Sequence, residues 1–92
     1  MAIQSVSEFE AVLNHVQSRV EKAISERGST PVLETVIRDI ARVYQAARKP
    51  GQLKPLRSLM EQLTDTLGEE IPNDNVLLEQ LWDLGDYIDY RG

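Results

Sequence analysis

Apolar residues recur at three- and four-residue spacing in four blocks along the chain, with polar residues and helix-breaking glycines and prolines between them. The clearest block is Pro31–Arg48, where Leu33, Val36, Ile37, Ile40, Val43, Tyr44 and Ala47 form a broad stripe. Thr30 serves as its N-cap and Pro31 as its first helical residue, and Lys49-Pro50-Gly51 stops it. The width of the stripe predicts a central helix that touches more than one neighbour. The first block places Phe9, Val12, Leu13, Val16, Val20, Ala23 and Ile24 on one face. Ser7 and Glu10 supply a capping box for a helix over 8–27 that ends at Gly28, and Ile3 and Val6 are placed to fold back on it as a staple.

A third helix is expected over 54–67, with Pro55 in its first turn, Leu56, Leu59, Met60, Leu63 and Leu67 inward, and Gly68 as the left-handed C-terminal residue. Ile71 anchors the following loop, and Asn73 or Asp74 caps a fourth helix over 74–90. Leu77, Leu78, Leu81, Leu84, Gly85 and Ile88 form its inner face. Glycine inside a helix costs about 1 kcal/mol against alanine, so Gly85 predicts close approach of another backbone or a local kink. Trp82 lies at the margin of this stripe, where it either completes the core or joins a recognition surface; Tyr87 and Tyr90 point away from it. The connections are short, so the expected fold is a single all-α domain over residues 1–92, an antiparallel four-helix bundle with up-down-up-down topology.

Charge adds a polarity that the net value of −5 conceals. Residues 38–57 hold six cations (Arg38, Arg42, Arg48, Lys49, Lys54, Arg57) against Asp39, whereas residues 61–92 hold nine carboxylates against Arg91. These halves either attract one another across the fold or are solvated faces. Arg38, Arg42 and Lys49 share the outward side of the second helix, with Glu34 spaced to pair with Arg38, either as solvated surface or as a strip for an acidic partner or anionic lipid headgroups. The acidic last helix repels phosphate, which argues against a nucleic-acid reader.

Candidate chemistry is sparse. The chain has no cysteine and a single histidine, His15, at the boundary of the first stripe, and so no cofactor or metal site is expected. Glu79, Asp83, Asp86 and Asp89 follow helical offsets rather than the alternating ligands of a calcium loop. No serine has a convincing histidine partner in local register and no glycine loop could cradle a phosphate, so the expectation is a protein that is not an enzyme. No apolar run approaches the roughly 20 residues of a membrane span, and the first residues lack the parts of a signal peptide, which predicts a cytoplasmic protein with at most peripheral membrane contact.

One resemblance emerges from the second half. Arg48-Lys49-Pro50-Gly51, Pro55-Leu56-Arg57-Ser58-Leu59, the Ile71-Pro72 loop, and Leu77 through Gly85 resemble the immunity proteins for pediocin-like bacteriocins over residues 33–86. The resemblance implies a cytosolic, non-enzymatic four-helix bundle that protects its producer by engaging the complex of bacteriocin with a mannose phosphotransferase membrane component. It also implies that partner specificity resides in the C-terminal half. The chain departs from the family's frequent lysine-rich, basic character and from its longer C-terminal tail. On this reading the partner-binding residues are Arg48, Lys49, Lys54 and Arg57 on the basic waist with Trp82, Tyr87 and Tyr90 on the last helix. The alternative is a cytosolic adaptor, monomeric or homodimeric, that sequesters another protein's helix through the leucine-rich last helix and the broad second stripe.

Overall fold

The computed structural model describes residues 3–49 and 51–91. Met1, Ala2 and Gly92 at the ends, and Pro50 in the expected helix stop, lie outside the described residues. The chain forms an all-α four-helix bundle: α1 (Val6–Arg27), α2 (Pro31–Ala46), a single 3-10 turn η1 (Lys54–Leu56), α3 (Arg57–Glu70) and α4 (Asn75–Arg91). At 1.5 Å per residue, the 22 residues of α1 reach about 33 Å, nearly the 36 Å long axis of the molecule. Helix α1 packs against both α2 and α4, and α4 packs against both α1 and α3, while α2 and α3 meet more sparsely. The middle of the bundle is therefore the α1–α4 pair, not α2. The broad stripe on α2 is buried at Leu33, Val36, Ile40 and Val43, but Ile37 and Tyr44 at its edges are only half-buried. Its width reflects a margin rather than a second full contact.

The core follows the helical periodicity closely. Phe9, Leu13, Val16 and Val20 from α1, Leu63 and Leu67 from α3, and Leu77, Leu81, Leu84 and Ile88 from α4 are almost completely removed from water. No polar or charged residue among those described is fully buried, so hydrophobic transfer and packing hold the bundle together with no buried ion pair to compensate. Leu53, between the α2 turn and η1, is also buried; it lies outside every helical stripe.

Helix ends depart from the expected ones for local reasons. Helix α1 starts earlier, because Ser5 rather than Ser7 is the N-cap: Ser5 Oγ accepts from Glu8 N–H at 3.1 Å, and Glu8 Oε2 accepts from Gln4 N–H at 3.2 Å. Ser5-x-x-Glu8 has the same capping-box spacing as Ser7-x-x-Glu10, and the earlier box lengthens the helix, places Ile3 in the core and leaves Glu10 free for Arg48. Val6 remains exposed, so Ile3 alone folds back. Gly28 ends α1 at φ +90°, its N–H donating to Ile24 O at 2.8 Å. Helix α2 stops at Ala46, two residues short of Arg48: Ala47 N–H still donates to Val43 O, but Lys49 N–H donates to Ala46 O at 3.1 Å in a tighter turn.

Gly68 does not terminate α3. The helix continues to Glu70 and closes at Ile71, whose N–H donates to Leu67 O at 2.9 Å. Ile71 is itself buried, which draws the last turn inward. A Cβ on Gly68 would lie 3.8 Å from Leu78 Cδ2, an ordinary contact, so Gly68 serves as an interhelical spacer. Asp74 caps α4, its Oδ1 accepting from Leu77 N–H at 3.0 Å.

Candidate functional site: the groove between α3 and α4

The sequence makes one flank of α4 large and closed, and the other small and open. On the α1 side the ring of Tyr87 packs against Phe9, centroids 4.9 Å apart and planes tilted by 34°. Tyr87 is 8% exposed. This overturns the outward placement of Tyr87 and removes its ring from any binding surface. The physical reason is angular: five residues turn a helix by about 140°, so Trp82 and Tyr87 leave α4 on different sides. Leu84 extends the apolar arc between them far enough for Tyr87 to complete it.

On the α3 side the same helix bears Gly85, where a Cβ would meet no atom within 4 Å. Neither close backbone approach nor steric need explains this glycine; it leaves open space. The result is a groove of about 340 Å³, floored by Met60, Leu81 and Ile88, which are themselves almost fully buried, and flanked by the exposed Trp82. Trp82 is 67% exposed, so it does not complete the core. Thr64 Oγ1 donates to Met60 O at 2.9 Å, which satisfies the one hydroxyl along the α3 wall. Glu61, Asp65, Asp86 and Asp89 surround the apolar surface.

Arg57 closes one end of this groove. Its Nε lies 2.8 Å from Asp89 Oδ1 and 3.7 Å from Glu61 Oε1. This is where the basic segment and the acidic tail do meet across the fold. The remaining cations of the proposed waist go elsewhere. Arg48 forms a two-pronged pair with Glu10, Nε to Oε1 at 3.1 Å and Nη2 to Oε2 at 3.0 Å. That bond holds the Glu10 carboxyl below its ordinary range, with a smaller contribution from Tyr44, and raises Arg48. Lys49 lines a separate cleft of about 260 Å³ with Arg42, Pro55 and Leu56, and Lys54 is exposed on η1. Tyr90 is 85% exposed and does not line the groove. Of the seven residues read from the sequence, the groove brings together Arg57 and Trp82.

Asp65, Asp86 and Gly85 complete the site. Gly85 and the acidic face were visible in the sequence, but nothing local indicated that glycine would open a space between two helices. The outward strip of α2 is likewise less organised than its spacing suggested: Glu34 accepts from Ser29 Oγ at 2.9 Å, and Arg42 approaches Asp39 only at 4.0 Å. His15 is exposed. Gln80 Oε1 is a buried side-chain oxygen without a hydrogen-bond partner among the described residues, and nothing in the structure explains it.

A different polar contact secures the far end of the bundle. Arg19 Nη1 lies 2.6 Å from Asp74 Oδ2, tying α1 to the cap of α4. Burial alone would raise the Asp74 carboxyl; the backbone bond from Leu77 and the Arg19 guanidinium outweigh it and hold the group below its ordinary value of 3.8. Both perturbed carboxyls, Glu10 and Asp74, lie outside the groove. Among the described residues no cluster of three or more acidic, histidine or cysteine side chains could hold a metal ion. No described helix is long and apolar enough to cross a membrane.

Compared with protein-family models, curated proteins and solved structures, the chain matches none of them. The groove therefore has to be interpreted from its own geometry. Such a site can hold an apolar side chain against Trp82 in the space at Gly85 while its rim meets polar or charged neighbours.

Proposed function

We propose that this chain is a cytosolic, non-enzymatic binding protein that engages another protein through the face formed by α3 and α4. The observation that carries this reading is Trp82 standing exposed beside an apolar groove that Gly85 keeps open. A tryptophan next to a desolvatable pocket has the composition of a binding hot spot.

The more specific form of the reading is bacteriocin immunity. The resemblance implies partner specificity in the C-terminal half, and the groove lies wholly between the two helices of that half. In this form the chain protects its producer by engaging the complex of a pediocin-like bacteriocin with the mannose phosphotransferase membrane component. The test is to express the chain in the cytosol of a sensitive strain and challenge it with a panel of such peptides. Selective resistance to one peptide, lost in a folded Trp82→Ala variant, supports immunity. Soluble expression without resistance to any peptide removes it.

The groove also favours a second reading, an adaptor that sequesters a partner's helix without connection to toxins. Site-specific photo-crosslinking from position 82, compared with position 21 on α1, separates this from incidental association. A single product from position 82 that is absent from position 21 supports the adaptor, whereas indistinguishable products exclude it.

A further inference from the structure

Resting on the reading of α3 and α4 as a protein-binding face, we propose that the groove's occupant is a cationic amphipathic helix of a partner. Charge decides the class of occupant. Around the apolar surface stand four carboxylates against one guanidinium, and Arg57 already spans the two at its own end, Glu61 and Asp89. Asp65 and Asp86 make no ion pair among the described residues. An acidic helix or an anionic membrane surface would meet like charge, and a neutral apolar helix would cover both carboxylates without compensating them. A helix with lysine or arginine beside its apolar stripe satisfies both conditions.

Geometry sets the size of that segment. The α3 wall runs from Arg57 to Asp65, nine residues or about 12 Å of helix rise, so about two turns of the partner fit against it. The partner's central apolar side chain sits over Gly85, between Met60 and Trp82, where a Cβ on residue 85 would find empty space. Its flanking cations reach Asp65 and Asp86.

Trp82 is the only tryptophan in the chain, so its emission reports on the groove directly. The test titrates purified full-length protein with three tryptophan-free helical peptides of about four turns: leucine stripe with lysines, leucine stripe with glutamates, and alanine stripe with lysines. The leucine–lysine peptide is expected to shift Trp82 emission to the blue and protect it from acrylamide. The other two are expected to bind at least tenfold more weakly.

Gly85→Leu fills the groove without changing charge and is expected to weaken the leucine–lysine peptide at least tenfold. Gly85→Ala gives a smaller loss in the same direction and serves if the leucine variant does not fold. Asp65→Asn with Asp86→Asn weakens binding severalfold and flattens its salt dependence, whereas Glu69→Gln with Glu79→Gln, outside the groove, changes it less than twofold. Equal binding of the glutamate peptide overturns the proposal. So does binding indifferent to both Gly85 variants, or a concentration-dependent dimer that Gly85→Leu abolishes, which would give the groove to a second copy of the chain. The titration uses no cellular partner. Failure of the peptides with protection or crosslinking intact therefore removes this occupant and leaves the binding face, while peptide binding without protection or crosslinking supports this occupant and removes the immunity and adaptor readings.

Discussion

Helix α4 meets α1 through Tyr87 stacked on Phe9, and meets α3 across a groove beside Trp82 and Gly85. The two flanks belong to one helix with one leucine-rich inner face, yet one is filled by an aromatic ring and the other left open by a residue with no side chain. Their difference separates what holds the fold together from what remains available to a partner. The α1 flank also carries the Arg19–Asp74 contact at the start of α4, so aromatic packing and a capped, charge-paired helix end reinforce the same interface. The groove flank has an ion-pair network at the Arg57 end, between exposed or half-exposed side chains, where such pairs contribute little.

Phe9→Ala should break this comparison most severely. Phe9 is fully buried and is the aromatic partner of Tyr87, and truncating a buried phenylalanine costs about 3–5 kcal/mol. A domain of this size has about 5–14 kcal/mol in total. Urea denaturation should show a large loss, and Tyr87→Ala should follow in the same direction. A cost below about 1 kcal/mol for Phe9→Ala would mean that the α1 flank is not the structural one.

The next effect tests the polar end of that flank. Asp74→Ala removes both the α4 cap and the partner of Arg19, and loss of such a cap costs about 1 kcal/mol. Because folding holds the Asp74 carboxyl below its ordinary 3.8, its ionic contribution is complete above that value and is lost as the pH falls through the folded one. The stability gap between wild type and Asp74→Ala should therefore be widest at neutral pH and narrow towards about pH 3. A gap that widens in acid would contradict the assigned role.

The two flanks were not equally legible in the sequence. Stripe positions such as Leu13, Ile40, Leu63 and Leu81 announced the core, because helical periodicity alone sorts inward from outward. Tyr87 was misplaced because it sits at the edge of its stripe, where burial depends on whether the neighbouring helix offers a large partner, here Phe9. Gly85 was noticed as unusual, but its consequence depends on the separation of α3 from α4, a tertiary quantity no local spacing encodes. Arg48 was read as a waist cation because Glu10, 38 residues earlier, could not be known to face it. The shift of the first cap from Ser7 to Ser5 is of another kind: two overlapping capping boxes compete locally, and the core position of Ile3 selects between them.

Gly85→Ala sharpens the comparison from the open side. With no atom within 4 Å of the added methyl, the substitution should stabilise the protein by up to about 1 kcal/mol through helix propensity. Gly28→Ala should do the opposite by a similar amount, about 1 kcal/mol, because Gly28 holds φ at +90° and an L side chain is strained there. Thermal melts of the pair, read as opposite shifts in Tm, check both. Loss of stability in Gly85→Ala would restore the idea that a backbone lies close to residue 85 and would close the groove.

Trp82→Ala should have the smallest effect on the fold and the sharpest diagnostic value. Trp82 is 67% exposed, and surface substitutions of this kind change stability by no more than about 0.5 kcal/mol. Since the variant has no tryptophan, the measurement is urea denaturation followed by helical circular dichroism. An aromatic ring that leaves stability unchanged but abolishes protection or crosslinking is held for a partner. If its removal instead costs more than about 2 kcal/mol, Trp82 is packing like Phe9. The two flanks of α4 would then be alike in kind, and the groove would be a seam of the core rather than a face of the molecule.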